Sequence, residues 1–196
     1  MEKPKEKDFN LSKVKLLPTG GLKVEYQLSQ SVDSEVSVVD RVETVTREVH
    51  PDLLNLFDDL ASIVARVFGM TAFLTLFDSG ELGVGEKDKT KAREFAAGIL
   101  DRIEVRGVSW SGQEDSRGVV LTAVYETSTG LKTAINTPRI KVAQISYGFE
   151  EELEQIVDRV KTEVYDYLFN GKQAQLSLFG AESSEEDSDD NAEDEE

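Results

Sequence analysis

Apolar and polar residues alternate early in the chain. Val14 and Leu16 lead into Pro18-Thr19-Gly20-Gly21, and Leu22, Val24, Tyr26 and Leu28 alternate beyond it. A period of two on both sides of a Pro/Gly turn predicts a hairpin with one apolar face. Polar residues 29–34 separate it from a third strand-like region holding Val36, Val38, Val42 and Val45. The period then changes. After His50-Pro51-Asp52, the residues Leu53, Leu56, Phe57, Leu60, Val64, Val67 and Phe68 recur at helical spacing, with Asn55, Asp58, Asp59 and Arg66 between them. This predicts an amphipathic helix packed on a sheet. Proline costs nothing in the first turn, where its missing N–H has no partner to lose, and His50 reads as the cap.

Residues 70–101 carry a mixed signal. Ala72 to Phe77 is a short apolar run, and residues 79–85 form a glycine-rich loop. Asp88 or Thr90 is positioned to cap a helix through Leu100, with Ala92, Phe95, Ala96 and Ile99 facing inward. The second half then repeats the plan of the first. Ile103, Val105, Val108 and Trp110 mark a strand whose alternation slips at Gly107, as at a β-bulge. Val120–Tyr125 is the next strand, Ser128-Thr129-Gly130 turns the chain, and Leu131–Val142 is a third strand region broken by Pro138. Phe149, Leu153, Ile156, Val157, Val160, Val164 and Leu168 mark a long amphipathic helix that ends at Asn170-Gly171.

Both halves read strand, strand, strand, helix. The expected fold is one α+β domain: a mostly antiparallel sheet from two βββα-like halves, with two main amphipathic helices on one face. The strand–helix–strand alternation of a doubly wound parallel sheet is not present. The expected organisation is a flexible N-terminus over 1–10, the α+β domain over 11–170, a linear segment over 171–180 and a disordered acidic tail over 181–196.

Charge separates the last part from the rest. The 196 residues carry 22 basic and 39 acidic side chains, a formal charge of −17. Residues 181–196 hold ten of the acids and no base. Without them the charge is −7. Such a tail has nothing to bury and does not fold alone. The absence of cysteine excludes disulfides, thiolate metal sites and cysteine nucleophiles, and a single histidine, His50, excludes histidine clusters. No run reaches the roughly 18 apolar residues of a membrane span, and the polar N-terminus has no signal core. The expectation is a cytoplasmic protein, in a bacterial or phage-infected cell, that meets no membrane.

After the second helix comes Gln175-Leu176-Ser177-Leu178-Phe179. This pentapeptide resembles the motif by which bacterial replication and repair proteins dock on the β sliding clamp: glutamine, an aliphatic residue, serine or aspartate, leucine, phenylalanine. Every position matches. The resemblance covers five residues and implies a protein partner, the bacterial clamp, with no implication for the fold. In that role Leu176 fills one apolar pocket, Leu178 and Phe179 fill another, and the Gln175 amide fixes register through its donor and acceptor. The alternative is that Leu176, Leu178 and Phe179 pack back on the chain's own sheet. The body itself resembles uncharacterised proteins of bacteriophage replication and recombination gene clusters in Val105–Trp110, Gly118–Ala123, Asn136-Thr137-Pro138 and Tyr167–Lys172. That resemblance implies a phage or prophage origin and supplies no activity.

A second reading makes the chain a single-stranded-DNA-binding or recombination protein with a regulatory acidic tail. Single-strand sites pair basic residues with stacking aromatics. Arg106, Trp110, Lys132, Arg139 and Lys141 are the candidate contacts, provided the four cations share the solvent face of the sheet. The structural alternative is a buried Trp110 among ordinary outward-facing residues. Phage proteins that bind single-stranded DNA carry similar tails, commonly ending in an aromatic or apolar residue, whereas this one ends Glu195-Glu196. Catalysis has little support. Gln113-Glu114-Asp115 has no evident metal partner, and Gly80–Gly85 lacks the Lys-Ser/Thr of a phosphate-binding loop. No enzyme activity, catalytic residue, metal or cofactor is expected.

Overall fold

Each alternating region folds into a three-stranded antiparallel meander. In the computed structural model, which describes residues 4–32, 35–79, 83, 85–112, 117–141 and 148–172, the first meander is β1 (Phe9–Leu16), β2 (Leu22–Val32) and β3 (Glu35–Val45). The second is β4 (Ile103–Ser111), β5 (Gly118–Glu126) and β6 (Lys132–Asn136), followed by the short β7 (Ile140–Lys141). The meanders join through their first strands. β1 pairs antiparallel with β4, giving the order β3-β2-β1-β4-β5-β6.

Register puts the apolar positions on one face. Leu16, Val14, Leu11 and Phe9 stand opposite Leu22, Val24, Tyr26 and Leu28. Val14 stands opposite Val108, which stands opposite Leu121. The pairing slips between Val105 and Gly107, the bulge that the sequence places there. β6 and β7 both pair with β5, so the break at Pro138 interrupts a single edge. Thr137 bridges that break. Its N–H donates to the Leu121 carbonyl, and its Oγ1 accepts from the Leu121 N–H, both at 2.9 Å.

Helices α1 (Pro51–Val67) and α4 (Glu150–Phe169) cover the apolar face. Leu53, Leu56, Phe57, Leu60, Ile63 and Val64 of α1 are buried, as are Leu153, Ile156, Val157, Val160, Val164 and Tyr167 of α4. His50 caps α1: its Nδ1 accepts from the Asp52 N–H at 3.2 Å. The turn between β1 and β2 sits against the end of β3. Gly20 has φ +83°, and a Cβ on Gly21 would stand 2.2 Å from the Val45 carbonyl oxygen.

Two local expectations change, and one apolar run left without an element gains one. The sequence assigns 1–10 to a flexible terminus, but β1 starts at Phe9, whose buried ring packs 5.2 Å from Tyr26 and 5.6 Å from Tyr165. The Tyr165 hydroxyl also donates to the Pro4 carbonyl at 2.5 Å. These partners come from distant segments and leave no local pattern. The apolar run after Ala72 is a short helix, α2 (Phe73–Asp78). Helix α3 (Glu86–Leu100) has Gly85 at its cap position rather than Asp88 or Thr90, and it buries Ala92 and Ala96 while Phe95 is 66% exposed. Phe95 leans on Phe73 of α2, 5.7 Å between ring centroids, instead of entering the core.

Candidate functional site

The last described residues are firmly anchored. α4 ends at Phe169, and Gly171 takes φ +70°, the left-handed turn that glycine allows at a helix end. Lys172 Nζ donates at 2.7 Å to both Asp52 of α1 and Glu163 of α4. The hydrogen bond from Lys172 holds the Asp52 carboxyl below its ordinary range, and the two carboxylates raise the Lys172 ammonium. Nearby, Tyr167 and Arg47 tie the end of α4 to the segment after β3. Gln175, Leu176, Ser177, Leu178 and Phe179 lie outside the described residues, as do the tail 181–196 and the Gln113-Glu114-Asp115 turn.

The other candidate surface is the sheet face turned away from α1 and α4. Register places Lys132 there opposite Glu126, Lys141 opposite Gly118, and Glu104 opposite Val124. Arg106 is bound bidentately by Glu104, at 2.8 and 2.7 Å, which lowers the Glu104 carboxyl and raises the guanidinium. Lys132 lies 3.4 Å from Glu126. Arg139 donates to the Ser111 carbonyl at 3.1 Å, and its chain runs over Gly118, where a Cβ would meet it at 2.5 Å. Lys132, Arg139 and Lys141 are thus on this face, with Lys132 paired to Glu126, whereas Arg106, the extra residue of the β4 bulge, has no partner in the register and lines with Glu104, Glu48 and Leu54 a cleft beside the first turn of α1.

Trp110 is not with them. It stands opposite Val119, half-buried against the core on the helix-covered face, with Nε1 buried and without a hydrogen-bond partner among the described residues. Tyr125, opposite Ile103, lies on the covered face as well. The grouping of Trp110 with the four cations is therefore corrected. Strand parity separates them, because Trp110 falls in phase with Val108 and the cations fall out of phase with their buried neighbours.

The sequence reading omits Lys13, Lys15 and Lys23. All three are on the open face. Lys13 stands opposite Glu25 and Ser109, and Lys15 stands between Lys23 and Gly107. Lys13 and Lys23 share Glu25, at 3.9 and 3.7 Å. Parity alone gives their face. Their closeness to the second meander depends on the β1–β4 pairing, which has no local signal.

A groove of about 720 Å³ between α1, α4 and the end of α3 is lined by Asp58, Asp59, Asp101 and Glu152. Burial, then the charges of Asp59 and Glu104, raise the Asp58 carboxyl. Among the described residues no three histidines or carboxylates converge as metal ligands. No described helix is long and apolar enough to cross a membrane. No protein-family model matches the chain, and no curated protein or solved structure matches it.

Proposed function

We propose that this chain is a non-enzymatic accessory protein of bacterial or phage DNA replication or recombination that docks on the β sliding clamp through Gln175–Phe179. The observation that carries the reading is the pentapeptide itself, in which all five positions fit the clamp-binding pattern. Its place supports the reading. Gln175 comes three residues after Lys172, which two carboxylates hold at the end of α4. The pentapeptide thus follows closely, in sequence, on an anchored helix end. A short peptide of this kind gains affinity from a few anchors in preformed pockets. A tether also concentrates the attached body at its partner without requiring strong contacts by the body itself.

The test is binding of the full-length chain to a purified bacterial clamp. A variant with Gln175, Leu178 and Phe179 all changed to alanine serves as the control. Saturable binding that the variant loses supports the docking peptide. Equal behaviour of the two folded proteins removes it. A competition assay with a clamp-binding polymerase peptide then separates recruitment from inhibition, since an inhibitor must displace that peptide.

A further inference from the structure

We propose that the acidic C-terminal segment, residues 181–196, docks on the lysine-lined open face of the sheet. Lys15 stands directly opposite Lys23 in register, with Lys13 further along the same face of β1. Like charges directly opposite across two strands repel each other. Glu25 is the carboxylate that Lys13 and Lys23 share, so the three ammonium groups keep a surplus of positive charge. On its other side Lys15 faces Gly107, which offers no side chain to compete for contact. An extended anionic chain therefore meets three lysines that share one carboxylate, a stretch of sheet with net positive charge.

The chain carries its own polyanion. Residues 181–196 hold ten carboxylates and no basic side chain. Eight residues, 173–180, separate them from Lys172. Extended, these span about 26 Å, comparable with the width of a six-stranded sheet, roughly 24 Å. The tail thus has the reach to round the sheet edge. Tethering gives it a local concentration near the millimolar range, so weak contacts suffice to fill the face. Residues 1–180 carry a net charge of −7, spread over the whole body, whereas the three lysines act on the tail at contact distance.

A single-stranded nucleic acid is the competing occupant, and the face suits it less well. Among the described residues no aromatic ring lies on the open face, since Tyr26, Trp110 and Tyr125 belong to the covered side. Stacking supplies much of the affinity of single-strand sites. A carboxylate chain needs only charge and hydrogen bonds. The inference uses neither residues 175–179 nor the clamp and stands apart from that reading.

The test uses the full-length chain, which has no cysteine of its own. A nitroxide on Ser188→Cys therefore reports from one known place in the tail. In low salt the amide signals of Lys13, Lys15, Lys23 and Ser109 should lose more than half their intensity, while Ser62 and Glu154 on the helix side keep theirs. The signals should recover in high salt and in Lys13→Glu/Lys15→Glu/Lys23→Glu, with circular dichroism confirming the fold. They should also recover when the tail carboxylates are replaced by amides, a change that leaves the body intact. Broadening that is absent, uniform or unaffected by these changes would overturn the proposal. So would tight binding of a fluorescent oligodeoxythymidine that is equal with native and amide-replaced tails, since the face would then belong to nucleic acid and stand unoccupied by the tail.

Discussion

Tyr167 and Arg47 each bond the other's main chain. The Tyr167 hydroxyl donates to the Arg47 carbonyl at 2.6 Å, with the Glu48 carbonyl at 3.1 Å. The Arg47 guanidinium donates to the Tyr167 carbonyl and lies 4.4 Å from the centroid of its ring. Tyr167 O is among the last carbonyls of α4, which lack partners within the helix, and a cation there also complements the helix dipole. This clasp joins the end of the second half to the end of the first meander.

Tyr167→Phe should lower stability by about 0.5–1.5 kcal/mol, since it removes the donor from the part-buried Arg47 carbonyl. Arg47→Ala should cost a similar amount, and the double variant should cost less than the two combined, with a coupling of about 0.5–3 kcal/mol. Urea denaturation of the four proteins measures this. Additive losses would show that the two bonds act independently.

Thr137 holds the broken edge of the sheet. Thr137→Val keeps the shape but removes the acceptor of the buried Leu121 N–H. A loss of about 1–3 kcal/mol is expected, and Thr137→Ser should retain most of the stability. Amide exchange at Leu121 should quicken in the valine variant and change little in the serine variant.

Stability should fall in alkali. Burial, then the hydrogen bond and charge of Glu43, hold the Tyr26 hydroxyl well above its ordinary pKa, and burial raises Tyr167 against the opposing effect of Arg47. The folded chain keeps these protons where the unfolded chain, with tyrosine near pKa 10, releases them. Their contribution is complete below about pH 10 and declines as pH rises beyond it. Urea midpoints from about pH 8 to about pH 11 should show this decline, with a shallower slope in Tyr26→Phe. An unchanged slope would remove Tyr26 from the explanation.

Leu178→Ala and Phe179→Ala separate docking from packing. As partner anchors they should leave the urea midpoint unchanged while weakening clamp binding. Core leucines and phenylalanines cost about 2–5 kcal/mol when truncated to alanine. A loss of that size with either variant would make the peptide part of the fold. Phe57→Ala, in the buried face of α1, gives the reference for a core truncation.

Much of this architecture is legible along the chain. Alternation gives the strands of both meanders, helical spacing gives α1 and α4, and the slip at Gly107 gives the bulge, because each is set by neighbours within a few residues. His50-Pro51-Asp52 marks the start of α1 for the same reason. The pentapeptide and the acidic tail are likewise readable as sequence alone. Tertiary structure decided what lies beside what. It drew Phe9 into the core through Tyr26, Tyr165 and Phe169, and it turned Phe95 outward onto α2. It also joined β1 to β4, setting Lys13 and Lys15 beside the second meander, whereas the covered face of Trp110 follows from its phase with Val108. Residue period fixes which way a side chain points. The partner across a sheet is fixed only when distant strands pair to bury their common apolar face.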